Sequence, residues 1–167
     1  MTETTRQLYL MRHAHAARPA SLSDKARPLD DRGVGQARRI GLELAAAGIE
    51  RVLASAAIRT QQTAARLDLG VPVEPVEAFY YGDCDTMLDR LRTLDAAWTR
   101  VLVVGHNPSI AYLAHDLADP SGSDPKALAL IASQFPTAAC CRFDFEGPWS
   151  DLTRARLVRT WLPPHGG

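Results

Sequence analysis

Apolar positions follow two rhythms along the chain. Residues 7–12 (QLYLMR) form a short β-forming run that predicts a first strand, ending where Arg12 and His13 begin. A loop rich in Ala, Pro, Ser and Asp follows to about residue 30. Apolar residues then recur at Val34, Ala37, Ile40 and Leu44, one face of a helix that Gly48 closes as a C-cap. ERVLAS (50–55) predicts a second strand, and AIRTQQTAARLDLG a second helix ending at Gly70. VPVEPVEAF is broken by Pro72 and Pro75, so its strand should be short and near a sheet edge. Asp83 or Asp85 caps a third helix running to about Trp98, with Met87, Leu88, Leu91 and Leu94 facing inward. Val101 to Val104 are consecutively apolar, as in a strand covered on both faces, and lead through Gly-His-Asn-Pro into a helix over 109–118. Asp124-Pro125 starts a helix through KALALIASQF. TAACCRFDFEGPWSDLTRARLVRTWL predicts two strands around Gly147-Pro148.

Strands alternating with helices predict one α/β domain over residues 1–167. Its three layers are a mostly parallel central sheet with helices on both faces, and an antiparallel hairpin forms the edge near the C-terminus. A chain of 167 residues is too short for a (β/α)₈ barrel, which takes about 250. Apolar residues at 46% and charged residues at 23% exclude a disordered chain. The 19 cations and 19 anions cancel, so bulk charge argues for neither a nucleic-acid nor a membrane partner. All the cations except Lys25 and Lys126 are Arg, the better fork for phosphate or carboxylate, although a biased genome composition gives the same excess. Cys84, Cys140 and Cys141 include no CxxC spacing, and the adjacent pair in a strand points to opposite faces, unable to share a metal. MTETTRQLYLMRHAHAA holds no apolar run long enough for a signal peptide or a membrane span. The expectation is a cytoplasmic protein, with a monomer favoured.

Ligands of such sheets sit at the carboxyl ends of the strands. Those ends carry Arg12-His13, Ser55 and Gly105-His106, with Arg59 opening the helix after strand two. Two imidazoles and two guanidiniums gathered there repel one another until an anion joins them. At about 4 Å and an effective dielectric near 20, each unit charge pair is worth roughly 4 kcal/mol. A phosphate dianion matches the cluster in charge, and Arg can bind two of its oxygens at once. A histidine that attacks phosphorus must be neutral with one ring nitrogen free, a form that nearby Arg charges favour. A second histidine beside the phosphoryl oxygens serves better as a cationic donor.

LYLMRHAHA, RPLDDRG, VLASAAIRTQQTA and VVGHNP resemble the successive motifs of the histidine phosphatase superfamily. The chain is most similar to the short SixA-type phosphohistidine phosphatases, with Arg12-His13-Ala14 and then Arg27-Pro28-Leu29 followed by Gly33. The similarity is carried by motifs over residues 8–118 and extends weakly through FPTAACCRFDF. It implies a phosphoglycerate-mutase-like fold and a phosphatase in which His13 becomes a phosphohistidine intermediate. By the same resemblance, Arg12, Arg59 and His106 hold the phosphoryl oxygens, and Arg27 adds a substrate contact. Ser55 supports the pocket floor, where it binds phosphate or caps the next helix. No metal or organic cofactor is implied, and the partner is a phosphate-containing substrate such as a phosphohistidine protein. Ala56 departs from the pattern by replacing a common Pro. Larger relatives use a carboxylate from the middle of the chain as general acid, and Glu77 is the nearest positional candidate, with Asp83 and Asp85 behind it. SixA-type proteins manage without this acid, because imidazole leaves more readily than an alkoxide.

Rival readings start from the same residues. His13 and His15 form an HxH pair that, with His106 or His115, could bind a metal. The pocket could instead sense a phospho-ligand without turning it over, or serve small phosphomonoesters. His15 is expected to line the pocket and Tyr80-Tyr81 to border its entrance. His115 and His165 read as structural or solvated, and Trp98, Trp149 and Trp161 as packing residues.

Overall fold

The computed structural model describes residues 4–163, so the expectation for His165 lies outside the described residues. Its strands are β1 (Thr5–Arg12), β2 (Arg51–Ser55), β3 (Val73–Val76), β4 (Arg100–Gly105), β5 (Cys140–Glu146) and β6 (Arg156–Trp161). They form one sheet in the order β3-β2-β4-β1-β5-β6. β3, β2, β4 and β1 are parallel neighbours, whereas β5 runs antiparallel to both β1 and β6.

The helices are α1 (Asp31–Leu44), α2 (Ile58–Arg66), α3 (Ala78–Tyr81), α4 (Cys84–Leu91), α5 (Ser109–Leu117) and α6 (Pro125–Ser133). Alternate strand residues feed two cores. Tyr9, Met11, Val52, Ala54, Leu102 and Val104 pack with Ala37, Ile40 and Leu44 of α1 and Ala64 of α2. Leu8, Leu10, Leu53, Val101 and Val103 pack with Met87, Leu91, Ile110 and Leu113 from α4 and α5. Cys140 joins the first core and Cys141 the second, as adjacent strand residues must. Burial on both faces explains why the central strands lack polar alternation. The three-layer reading and the edge hairpin therefore hold. Pro75 sits in β3, at the edge of the sheet.

Several boundaries differ from expectation, among them the ends of α1 at Leu44 and of α2 at Arg66, short of Gly48 and Gly70. Asp83 is the cap of α4, accepting from Thr86 N at 3.0 Å, and the helix stops at Leu91 rather than near Trp98. Beyond it, Asp95 accepts from Ala97 N, and the buried Arg6 guanidinium donates to the carbonyls of Ala96 and Trp98. The connection between β5 and β6 is longer than a Gly-Pro turn. It carries a 3-10 turn at Trp149–Asp151 that buries Trp149. Helix α3 has only four residues, too few for any periodicity to announce it. Among the described residues, no helix is long and apolar enough to cross a membrane.

Candidate active site

The carboxyl ends of β1, β2 and β4 lie side by side, with Arg12 registered against Gly105. Backbone bonds fix the first turn out of β1: Arg12 N donates to Ala139 O at 3.0 Å and His13 N to Gly105 O at 2.9 Å. Ala14 N donates to the Thr63 hydroxyl, which itself donates back to the Arg59 carbonyl. This chain of bonds couples the residue after His13 to the helix that carries Arg59. Gly33 lets α1 approach the same turn. A Cβ there would lie 1.9 Å from the His15 carbonyl oxygen, so the glycine of the RPLDDRG segment is sterically required.

These strand ends open into a cleft of about 550 Å³ lined by Arg12, His13, Arg18, Asp24, Arg27, Arg59, Tyr80, Tyr81, His106 and Asn107. The imidazoles of His13 and His106 are 5.4 Å apart between ring centroids. His13 Nδ1 lies 2.7 Å from Ala14 O. A carbonyl can only accept, so Nδ1 carries the proton and the lone pair is left on Nε2. Burial pushes the His13 pKa down to about 3, helped by His106, Arg59 and Arg12, against the opposing bond to Ala14. The ring is therefore neutral at physiological pH.

His106 has the opposite polarity. Arg59 Nη2 lies 3.3 Å from its Nδ1 and can only donate, so Nδ1 is the accepting nitrogen of the neutral ring. Nε2–H then donates to Ser55 Oγ at 2.7 Å. Burial and then Arg59 hold the His106 pKa down at about 4, while Asp24 opposes them. An anion bound beside it would reverse that balance and charge the ring.

The guanidiniums are only partly satisfied. Arg12 Nη1 reaches Phe135 O at 3.4 Å, and Arg59 bonds the Asp24 carbonyl at 2.7 Å and its carboxylate at 3.1 Å. The Nε atoms of both arginines are buried without a hydrogen-bond partner among the described residues. Buried N–H groups of a charged side chain left unpaired cost more than the usual 1–3 kcal/mol, so the cluster is primed for an oxyanion.

The structure brings His13, Arg12, Arg59, His106 and Arg27 together along one cleft. Two other candidates are placed elsewhere. Ser55 is fully buried and absent from the cleft lining; it lies beneath the floor, its hydroxyl accepting from His106 Nε2 at 2.7 Å and from Ala57 N at 3.4 Å at the start of α2. Glu77 is absent from the lining as well, its exposed carboxylate paired with Lys25 Nζ at 2.8 Å. His15 turns away to pair with Asp30 at 2.5 Å, and His115 lies in the last turn of α5, so the HxH pair does not converge. Among the described residues, no group of three or more His, Cys, Asp or Glu side chains is arranged to hold a metal ion. Tyr80 and Tyr81 do border the entrance. The reading missed Arg18 and Asp24, which lie in a loop without periodicity. The one signal available was the three-residue spacing of Asp24 and Arg27, which pair at 3.0 Å.

A neutral imidazole beside guanidiniums whose Nε atoms lack partners among the described residues makes a cleft suited to a phosphoryl group. Comparison with known proteins agrees. Residues 8–87 match the family model of the histidine phosphatase superfamily (branch 1). An uncharacterised Mycobacterium tuberculosis protein is 34% identical over 144 residues, covering 85% of this chain and 91% of that protein. A provisionally assigned phosphohistidine phosphatase SixA from Nakamurella multipartitia superposes with a TM-score of 0.87 at 30% identity, over 98% of this chain and 99% of that one. The protein histidine phosphatase SixA complexed with tungstate superposes with a TM-score of 0.76 at 27% identity, over 96% and 98% of the two chains. The chain belongs to the histidine phosphatase superfamily, and its activity is that of a phosphatase.

Proposed function

We propose that the protein hydrolyses phosphohistidine on a protein partner through a covalent intermediate on His13. The observation that carries this reading is the bond from His13 Nδ1 to the Ala14 carbonyl, which leaves Nε2 as the attacking atom inside the guanidinium cup. Nε2 forms a bond to phosphorus as the bond to the leaving nitrogen breaks. Arg12, Arg59 and a His106 charged by the incoming anion hold the three equatorial oxygens, so positioned donors supply most of the rate. Water then attacks the phosphoryl group on His13, and phosphate leaves.

Two features support an imidazole leaving group over an alkoxide. Among the described residues, no carboxylic acid stands ready to protonate an ester oxygen: Glu77 is tied to Lys25 outside the cleft, and Asp24 in it is held ionised by Tyr80 and the arginines. The cleft is also an open depression at the carboxyl ends of the central strands, suited to a side chain presented on a protein surface. The similarity to SixA proteins adds weight, one of them binding tungstate, an oxyanion. The three free thiols suit a reducing compartment, and we place the reaction in the cytoplasm.

Brief mixing with a phosphohistidine protein, followed by acid-free mass detection, should find the phosphoryl group on His13. His13→Ala should abolish both the label and the turnover. Turnover of phosphohistidine by wild type with no label on His13, or near-normal activity in the variant, defeats the covalent route. A wild type that turns over sugar phosphates but not phosphohistidine defeats the substrate assignment.

A further inference from the structure

One carboxylate stands inside the cation cup, and the proposed reaction has not used it. Asp24 belongs to the 3-10 turn Asp24–Ala26, in the loop that leads from His13 to α1. Its Oδ2 accepts from Tyr80 Oη at 2.7 Å and from Arg59 Nη2 at 3.1 Å, and its Oδ1 accepts from Arg27 Nη1 at 3.0 Å. The side chain still has 54% of its surface exposed, and the residue lines the cleft beside His13 and His106. A carboxylate placed among phosphate-binding arginines weakens dianion binding by its charge alone. Such a group needs a compensating use.

Its protonation state narrows that use. The Tyr80 hydroxyl above all, with Arg27 and Arg59, holds the Asp24 carboxyl far below the ordinary range, against the opposing effect of burial. A group so firmly ionised has no proton to give, which disqualifies it as the acid for an alkoxide. A phosphohistidine leaving group asks for the reverse. Its P–N bond breaks readily only when the distal ring nitrogen already carries a proton. The electron pair of the broken bond then stays on the leaving nitrogen, and neutral imidazole departs with that distal N–H. An anion that accepts a hydrogen bond from the distal N–H stabilises this protonated form and orients the ring.

We infer that Asp24 is a specificity-determining residue. It receives the distal N–H of the substrate imidazole and makes the cup select phosphoryl groups carried on nitrogen over those carried on oxygen. The inference rests on the phosphohistidine reading above. Tyr80 is the positioning residue that keeps the carboxylate turned into the cleft, its own hydroxyl held protonated by the bond to Asp24.

The test compares two substrates on one enzyme. Free 3-phosphohistidine needs a protonated distal nitrogen, whereas 4-nitrophenyl phosphate releases a stable phenolate that needs no proton. Asp24→Asn should lower the ratio of kcat/KM for phosphohistidine to that for nitrophenyl phosphate about tenfold or more. It should also move the alkaline limb of the phosphohistidine profile to lower pH, because the distal proton is held less tightly. Tyr80→Phe should move both readouts the same way by less. An equal fall for both substrates would show that Asp24 only braces Arg59, and an equal rise would show that it merely competes with phosphate; either result overturns the inference. A wild type that labels His13 from nitrophenyl phosphate but never hydrolyses phosphohistidine overturns the substrate reading instead, whatever Asp24→Asn does.

Discussion

At the floor of the cleft the functional side chains leave the ends of buried central strands. His13 is pinned by Gly105 and Ala14, and His106 by Ser55 and Arg59. At the rim, Asp24, Lys25, Glu77 and Tyr80 are held by one another and, through Asp24, by the arginines Arg27 and Arg59. Asp24 bonds Tyr80, Lys25 bonds Glu77, and the Lys25 ammonium sits 5.4 Å from the centre of the Tyr80 ring. The floor is thus positioned by the core and costs desolvation, which is why both imidazoles are neutral. The rim is solvated, and exposed ion pairs of its kind are each worth only about 0–1 kcal/mol. On the proposed function, chemistry falls to the rigid floor, and selection of substrate to a rim that can be rebuilt at little cost in stability.

The largest effect should follow from a change to the floor. His106→Ala removes a donor to the phosphoryl oxygens and should lower kcat by about 10² to 10³. Slow phosphorylation of His13 should persist, as quench-flow labelling would reveal. A fall below tenfold would move His106 out of the phosphoryl contacts.

A second effect comes from the floor's desolvation. His13 and His106 titrate near 3 and 4 in the folded chain, against about 6.5 when unfolded. Below pH 6.5 the unfolded chain therefore binds protons that the folded chain refuses, and stability falls as the pH drops toward those folded values. The slope should approach about 1.4 kcal/mol per pH unit for each histidine. Urea unfolding at pH 7 and pH 5 checks it, and the double variant His13→Asn, His106→Asn should flatten the dependence. An unchanged slope in that variant would assign acid sensitivity to other groups.

The smallest effect should come from the rim. Glu77→Gln should change kcat/KM for phosphohistidine by less than about twofold, since the exposed Lys25 pair is all that it loses. A loss of a hundredfold would return the carboxylate to the mechanism and erase the contrast between floor and rim.

The same contrast explains what the sequence could reveal. Val101 to Val104 and the run before Arg12 announce buried parallel strands, and a buried parallel strand fixes where its carboxyl end points. Arg12, His13 and His106 could therefore be assembled across 93 residues before any coordinates. Asp24 and Arg18 come from a loop whose path depends on long-range bonds to Arg59 and Tyr80, so no local pattern foretells them. Ser55 was correctly placed at a strand end, but its role depended on which way the His106 ring turned. Glu77 looked suitable by position alone, and the exposed ion pair that diverts it leaves no periodic trace.

On the proposed route, the bond between His13 and the Ala14 carbonyl would also govern the second half of the reaction. A backbone oxygen can receive a hydrogen bond but cannot take the proton away, so the ring would keep it after Nε2 acquired phosphorus. The phosphorylated enzyme would then be a phosphoramidate on a cationic ring, poised to expel its own histidine when water arrives. Such a carrier would discharge quickly and hold no phosphate in reserve.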